Sequence, residues 1–281
     1  MKKRAAGILL LSILISAICT SQERKGSRAR PSSVTHALGT PSYQILNINN
    51  ITSWMRADGQ SNHAPSGDNG CQYPRGTAAV IYQDGIVWGG KAYLDPTFST
   101  PAPTQVIRVG GQTYSVGTRA GRIVGTGAGA VPADTSSPDV RVYRIRRDYR
   151  DTFWEELRRD AADYFETSTS AVTEAQMNQI YSQYEKDWKE WPVQQGAPYI
   201  ERNGILGYQP PPTITPVHGG RELIENKYDE PGIAGADPNS PADQVIWTVY
   251  NDLDRAATLG FSGSEPLGLE VQVTLWAYKG Y

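Results

Sequence analysis

Cysteine is almost missing from this sequence of 281 residues: only Cys19 and Cys71 occur. Such a count excludes a disulfide-stapled scaffold. Histidine is as scarce, with His36, His63 and His218 in loop-like stretches and no pair at metal-binding spacing, so zinc chemistry has no candidate ligands. Neither sign of charge dominates, with Lys+Arg 27 against Asp+Glu 29, and the chain has no basic face of the kind nucleic acid selects. No apolar run approaches the roughly 20 residues of a spanning helix, which excludes a multi-pass membrane protein. What remains has the length of one large or two modest globular domains.

The start of the chain carries an address. Lys2, Lys3 and Arg4 precede an apolar run from Ala5 to Ile18, and small residues follow. This is the pattern of an export signal over residues 1–21. Its removal takes three positive charges, moves the formal net charge from −2 to −5, and takes Cys19 with it. Cys71 then stands alone in an oxidising compartment, and the core must hold the fold. Residues 22–42, rich in Ser, Arg and Pro, read as a flexible leader. Residues 43–281 read as one secreted β-rich domain with no transmembrane segment.

Within that domain the strand signals come first. Asp84-Gly85 lies between apolar stretches in residues 81–90, and Gly110-Gly111 does so in residues 106–117, so two tight β-hairpins are expected. The glycine-rich residues 125–131 superficially resemble a phosphate loop. Pro132 stands where the helix would have to begin, so a plain loop is expected. Residues 141–146 form a short strand that feeds a helical pair near residues 148–191. In residues 151–166, Phe153, Leu157, Ala161 and Tyr164 recur at helical spacing. Thr173 and Gln176 make a capping box for a second helix, whose stripe is Met177, Ile180, Tyr181, Tyr184 and Trp188 and whose stop is Pro192. Residues 192–220 are loop-like. Residues 244–250 form an apolar strand, and Leu269, Val271, Val273, Leu275 and Ala277 alternate with polar neighbours in a last one. The fold class expected is α+β, mostly antiparallel β in a meander or sandwich-like arrangement with an inserted helical hairpin.

Catalytic machinery is hard to find. Serines near glycine in residues 59–63 and 260–264 lack the strand–turn–helix setting of a nucleophile elbow. Cys71 has no nearby base. Glu155 and Glu156 are adjacent on a helix and point to different sides, which suits glycoside hydrolysis badly. The one concentration of like charge is Asp229, Glu230, Asp237, Asp243, Asp252 and Asp254, with no Lys or Arg between them. Asn251, Asp252 and Asp254 gather oxygen-bearing side chains just after a strand, and calcium is the cation such hard ligands suit. The competing reading is that these side chains cap turns. Asp58, Asn62, Asp68 and Asn69 make a weaker set of the same kind.

Several runs together carry a family resemblance. They are NINNITSWMRADGQSNH at 47–63, YPRGTA at 73–78, IYQDGIVWGGK at 81–91, RVYRIRRDY at 141–149, YEKDWKEWP at 184–192, DQVIWTVYNDLD at 243–254 and PLGLEVQVTLWAY at 266–278. In these the chain resembles the amino-terminal region of large, mostly uncharacterised secreted proteins of Gram-negative bacteria that use type IX secretion. The resemblance implies a secreted or cell-surface location and carries no catalytic residue. After GAPY at 196–199, Ile205 and Leu206 stand where relatives would have acids, which removes a calcium loop there. The family's carboxy-terminal sorting domain does not follow, so the resemblance implies a truncated chain, periplasmic in that case. Two functions are expected from all this: a non-enzymatic structural or binding module for a surface or carbohydrate ligand, or a secreted polysaccharide-acting hydrolase that uses the chain's 7 Trp and 16 Tyr as sugar platforms.

Overall fold

The computed structural model describes residues 43–67, 70–93, 106–114, 117–151, 153–198 and 242–280. The export signal, the leader, Asp68, Asn69 and the stretch from Glu201 to Asp237 lie outside the described residues, as do His36 and His218. The fold is α+β with mostly antiparallel strands. In chain order the strands begin with β1 (Tyr43–Leu46), β2 (Ser53–Arg56), β3 (Cys71–Gln72), β4 (Ala79–Ile81), β5 (Val87–Tyr93) and β6 (Val106–Gln112). Then come β7 (Arg119–Ala120), β8 (Ile123–Val124), β9 (Val131–Pro132) and β10 (Tyr143–Arg146), the helices α1 (Trp154–Tyr164) and α2 (Glu174–Lys189), β11 (Gln244–Asn251), α3 (Arg255–Ser262) and β12 (Glu270–Ala277). No helix among the described residues is long and apolar enough to cross a membrane.

The main sheet runs β10-β11-β12, and β7 pairs with the end of β11. Every residue of β11 is buried, as expected of a central strand covered on both faces whose apolar run is interrupted only by Thr248 and bounded by Gln244 and Asn251. Its side chains alternate between two clusters. Ile246 and Tyr250 meet Val142, Leu46 and Met55, and the predicted face of β12 (Val271, Val273, Leu275, Ala277) joins them. Trp247 and Val249 pack with Tyr143 and Trp191 on the other side. The two helices bury Leu157, Ala161, Met177, Ile180 and Tyr184 with Ile45 and Trp54 of the first hairpin. The capping box at Thr173 forms as expected: the Gln176 N–H donates to Oγ1 and the Thr173 N–H donates to Oε1 of Gln176. Gln244 locks the first hairpin to the sheet, since its Oε1 accepts the N–H groups of Asn47 and Ile48 at 2.8 and 3.0 Å.

Two expectations are corrected here. The hairpins at Asp84-Gly85 and Gly110-Gly111 do not form. Instead β5 pairs with β6, placing Trp88 opposite Gly111 and Gly89 opposite Gly110, and β4 pairs back to β3. Neither Gly110 nor Gly111 takes a positive φ. Their lack of a side chain serves close packing, because a Cβ on Gly111 would stand 2.5 Å from the Trp88 ring and one on Gly110 would stand 2.7 Å from the Trp88 carbonyl. The second correction is α3, which follows directly from the Asn251–Asp254 turn and is absent from the sequence reading.

Candidate functional site

Three Arg residues around β10 place the strongest charges of the fold inside it. Arg141 pairs with Asp187 and, at 3.1 Å, with Glu190. The Arg144 guanidinium, fully buried, donates to Asp160 at 3.1 Å and to the Ile45 carbonyl at 3.2 Å, and it lies 4.7 Å from the Tyr184 ring centre. Arg146 reaches Asp148 at 2.8 Å and Glu156 at 3.0 Å, and Lys279 closes that group from β12's end. Asp160 also accepts from the Tyr184 hydroxyl and from Asn47. Burial alone would push the Asp160 carboxyl up, yet the guanidiniums of Arg144 and Arg146 with these two donors hold it below its ordinary value. Burial likewise opposes ionisation of Asp148, and Arg146 with Lys279 still brings it down to about 2. Carboxylates kept ionised this firmly cannot deliver protons near neutral pH. Asp160 and Asp148 are therefore architectural, whereas at Asp187 burial outweighs the Arg141 guanidinium and leaves the carboxyl above its ordinary value.

Asn251, Asp252 and Asp254 are together in sequence but turn to different tasks. Asn251 donates from Nδ2 to the Gly121 carbonyl at 2.7 Å and accepts the Leu253 N–H at 3.0 Å. Asp252, fully buried, accepts four N–H groups: Gly268 and Leu269 on Oδ1 at 2.9 and 2.7 Å, and Leu267 and the Trp88 indole on Oδ2 at 2.8 and 3.3 Å. Asp254 caps α3 by accepting the Ala257 N–H at 3.1 Å. These oxygens face hydrogen-bond donors where the sequence reading expects a shared calcium ion. Among the described residues no group of three or more His, Cys, Asp or Glu is placed to hold a metal. A melting temperature that rises in millimolar calcium over EDTA in the wild type and not in Asp254→Asn would place the cation at this turn, and equal rises in both would take it away from these residues. In the weaker set, Asp58 pairs with Arg56 at 2.6 Å, and Asn62 binds Asp84 and Ser53 at 2.8 Å each.

The surface points elsewhere, to the β5–β6 ribbon. The Trp88 indole packs against Gly111 and, through Asp252, ties the ribbon to the entry of β12. Beside it opens an apolar cleft of about 270 Å³ lined by Trp88, Val109, Gly110, Gly111, Tyr114 and Ser264. Leading up to it, Val80, Ile81, Tyr82, Ile86 and Val87 are all exposed, Tyr82 at 65% and Val87 at 73%. Gly111→Ala is expected to lift the indole, break its bond to Asp252 and cost about 1–3 kcal/mol. Denaturant melts and the Trp fluorescence spectrum would register both effects, and unchanged values would remove Trp88 from this role.

A second cleft, of about 510 Å³, brings Asp139 and Glu190 together with Trp191, Tyr143 and Gln195. Cys71 is buried, and burial with the neighbouring Asp84 carboxylate pushes its thiol up, which leaves little thiolate for nucleophilic attack. Sequence reasoning missed the Trp88 cleft. The signal was present, because glycine pairs inside two strand patterns mark a close approach as readily as a turn. No family model matches the chain, and neither a curated protein nor a solved structure matches it.

Proposed function

We propose that the chain is a non-enzymatic secreted or cell-surface binding module whose docking face runs from β4 to β5 and ends at the Trp88 cleft. The observation that carries this reading is the exposure of five large apolar residues within eight positions, Val80, Ile81, Tyr82, Ile86 and Val87, the last of which lines the apolar cleft. Contiguous exposed apolar surface costs solubility, and it is kept where a partner covers it. The charged start followed by an apolar run supports export, and the resemblance to type IX secretion substrates supports the cell envelope as its setting.

The test is binding of the dye anilinonaphthalene sulfonate to the native full chain. Wild type is expected to enhance its fluorescence, and the double variant Tyr82→Ser, Val87→Ser is expected to lose that enhancement while melting normally. Equal enhancement in both overturns the face. A second reading, a polysaccharide-acting hydrolase, is favoured by one observation: Asp139 and Glu190 line the same cleft as Trp191, where a sugar ring could stack. Incubation with a panel of polysaccharides separates the two. Retention without new reducing ends fits binding, whereas reducing ends that vanish in Asp139→Asn and Glu190→Gln fit hydrolysis.

A further inference from the structure

The ribbon has one open edge, and its direction can be worked out from hydrogen bonds already formed. The Gly110 N–H donates to the Glu265 carbonyl and the Glu265 N–H donates to the Arg108 carbonyl, each at 3.0 Å, so β6 turns these groups away from β5. In an antiparallel ladder, residues directly opposite each other turn their backbone groups the same way relative to the ladder, both inward or both outward. Gly89 and Lys91 lie opposite Gly110 and Arg108, so their N–H and C=O groups point outward, as do those of Val87 two residues before. No strand among the described residues pairs with that edge. Gly89, Gly90 and Lys91 are exposed, and the two glycines leave room for another backbone to approach. Among the described residues no bulge, proline or loop blocks that edge in the way natural sheets block such a template.

Its electrostatics are just as incomplete. Lys91 and Arg108 stand directly opposite each other, both exposed, on one face of the ribbon. Like charges in cross-strand register destabilise a sheet. Neither has an ion-pair partner among the described residues, and the carboxylate nearest in the ladder, Glu265, is already held by Arg255 at 2.7 and 2.8 Å. A strand added to β5 would place its own side chain opposite Lys91 on that same face. A carboxylate there would lie beside Lys91, with Arg108 one strand further on, and no carboxylate among the described residues pairs with either cation.

We infer that the outer edge of β5 accepts an extended, acidic-apolar segment of a partner protein as an added strand, with a partner carboxylate opposite Lys91 and on the face that also carries Arg108. Main-chain hydrogen bonds to Val87, Gly89 and Lys91 provide the attraction, and the charge pair selects the sequence. The inference rests on the docking-face reading above and names the partner's chemistry for it.

The probe is the labelled peptide Thr-Val-Glu-Val-Glu-Val-Thr, matched to an edge of this length, with a counterpart carrying Lys for Glu, each titrated into the full chain by fluorescence anisotropy. The acidic peptide is expected to bind and the basic one to bind roughly tenfold or more weakly, as juxtaposed like charges require. The double variant Lys91→Glu, Arg108→Glu should reverse that preference. Gly89→Pro should abolish binding, since it removes an outward donor while the inward bonds of β5 run through its neighbours. A Cβ at Gly89 meets only the Val109 carbonyl, at 3.7 Å. Hydrogen exchange on the wild type needs no variant: the peptide should slow the amides of Val87, Gly89 and Lys91. Equal affinity for both peptides overturns the charge selection, and protection elsewhere, or binding that survives Gly89→Pro, overturns the edge. Self-association that protects these amides without peptide gives the edge to a second copy and overturns the inference. Absence of any peptide binding overturns it too, and dye binding lost in Tyr82→Ser, Val87→Ser would still leave the docking face standing.

Discussion

Asp160→Ala is expected to remove about 3–5 kcal/mol of stability, the cost of leaving a buried charge without its partner. Asp160 is the hub of the interior network: it faces Arg144 at 3.1 Å and Arg146 at 3.7 Å and accepts from Tyr184 and Asn47. Alanine would strand the Arg144 guanidinium, which has no exposed surface and two nitrogens, Nε and Nη2, that already lack a hydrogen-bond partner. Replacing both members at once, Asp160→Leu with Arg144→Met, should recover the part of the loss that comes from the stranded guanidinium, while the Tyr184 hydroxyl and the Asn47 amide lose this acceptor in both variants. Urea melts of the two variants check the contrast. If the double variant is as unstable as the single one, the loss comes from packing and the ion pair matters little.

Two carboxylates of this network set the acid limit of the fold, while the raised Asp187 acts in the opposite direction. Asp160 and Asp148 are both held below their unfolded values, Asp148 at about 2. Each therefore contributes stability that is complete above the unfolded carboxylate range and is lost as pH falls through the folded value. Unfolding on acidification should begin below about pH 4 and continue toward pH 2. Lys279→Gln removes one of the groups that depress Asp148 and should move that transition to higher pH.

How far the sequence discloses this fold depends on the range of the forces involved. The capping box at Thr173, the stripe of α2 and the alternation in β12 are local patterns, and each is found where the residues place it. Strand pairing is not local. Gly110-Gly111 satisfies the rule for a turn as well as the rule for a close approach, and only the Trp88 ring decides between them. Arg141 and Arg144 read as ordinary strand charges because the buried carboxylates they meet, Asp187 and Asp160, lie 46 and 16 residues away. A trace of this was legible in the helices. Asp160 falls at the i+3 position from Leu157, and Asp187 at i+7 from Ile180, so both acids sit on the apolar stripe where a charge requires a buried partner. The candidate site follows the same division: Tyr82, Val87 and Trp88 are visible as aromatic and apolar residues, whereas their exposure depends on which edges the sheet leaves open.

Asp252→Ala should produce the second large effect, a loss of about 3 kcal/mol or more, because four donors lose one shared acceptor. Three of these are the consecutive N–H groups of Leu267, Gly268 and Leu269, which lead the chain into β12, and the fourth is the Trp88 indole of the β5–β6 ribbon. Asn at this position keeps one oxygen and turns an NH₂ group toward donors, so Asp252→Asn should fall between wild type and alanine. The damage should be regional as well as large. Exchange of amides 267–269 and of the β5–β6 ribbon should quicken, while the amides of α1 and α2, which pack on a separate cluster, keep their protection. A uniform acceleration across the chain would mean that Asp252 supports the whole fold and not this corner. An alanine variant that melts like wild type, with a wild type that responds to calcium, would return the carboxylate to the metal that its sequence neighbours suggest. If the regional pattern holds, one buried carboxylate joins the docking ribbon to the last strand, and the rigidity of the proposed β5 edge is set from the far side of the ribbon.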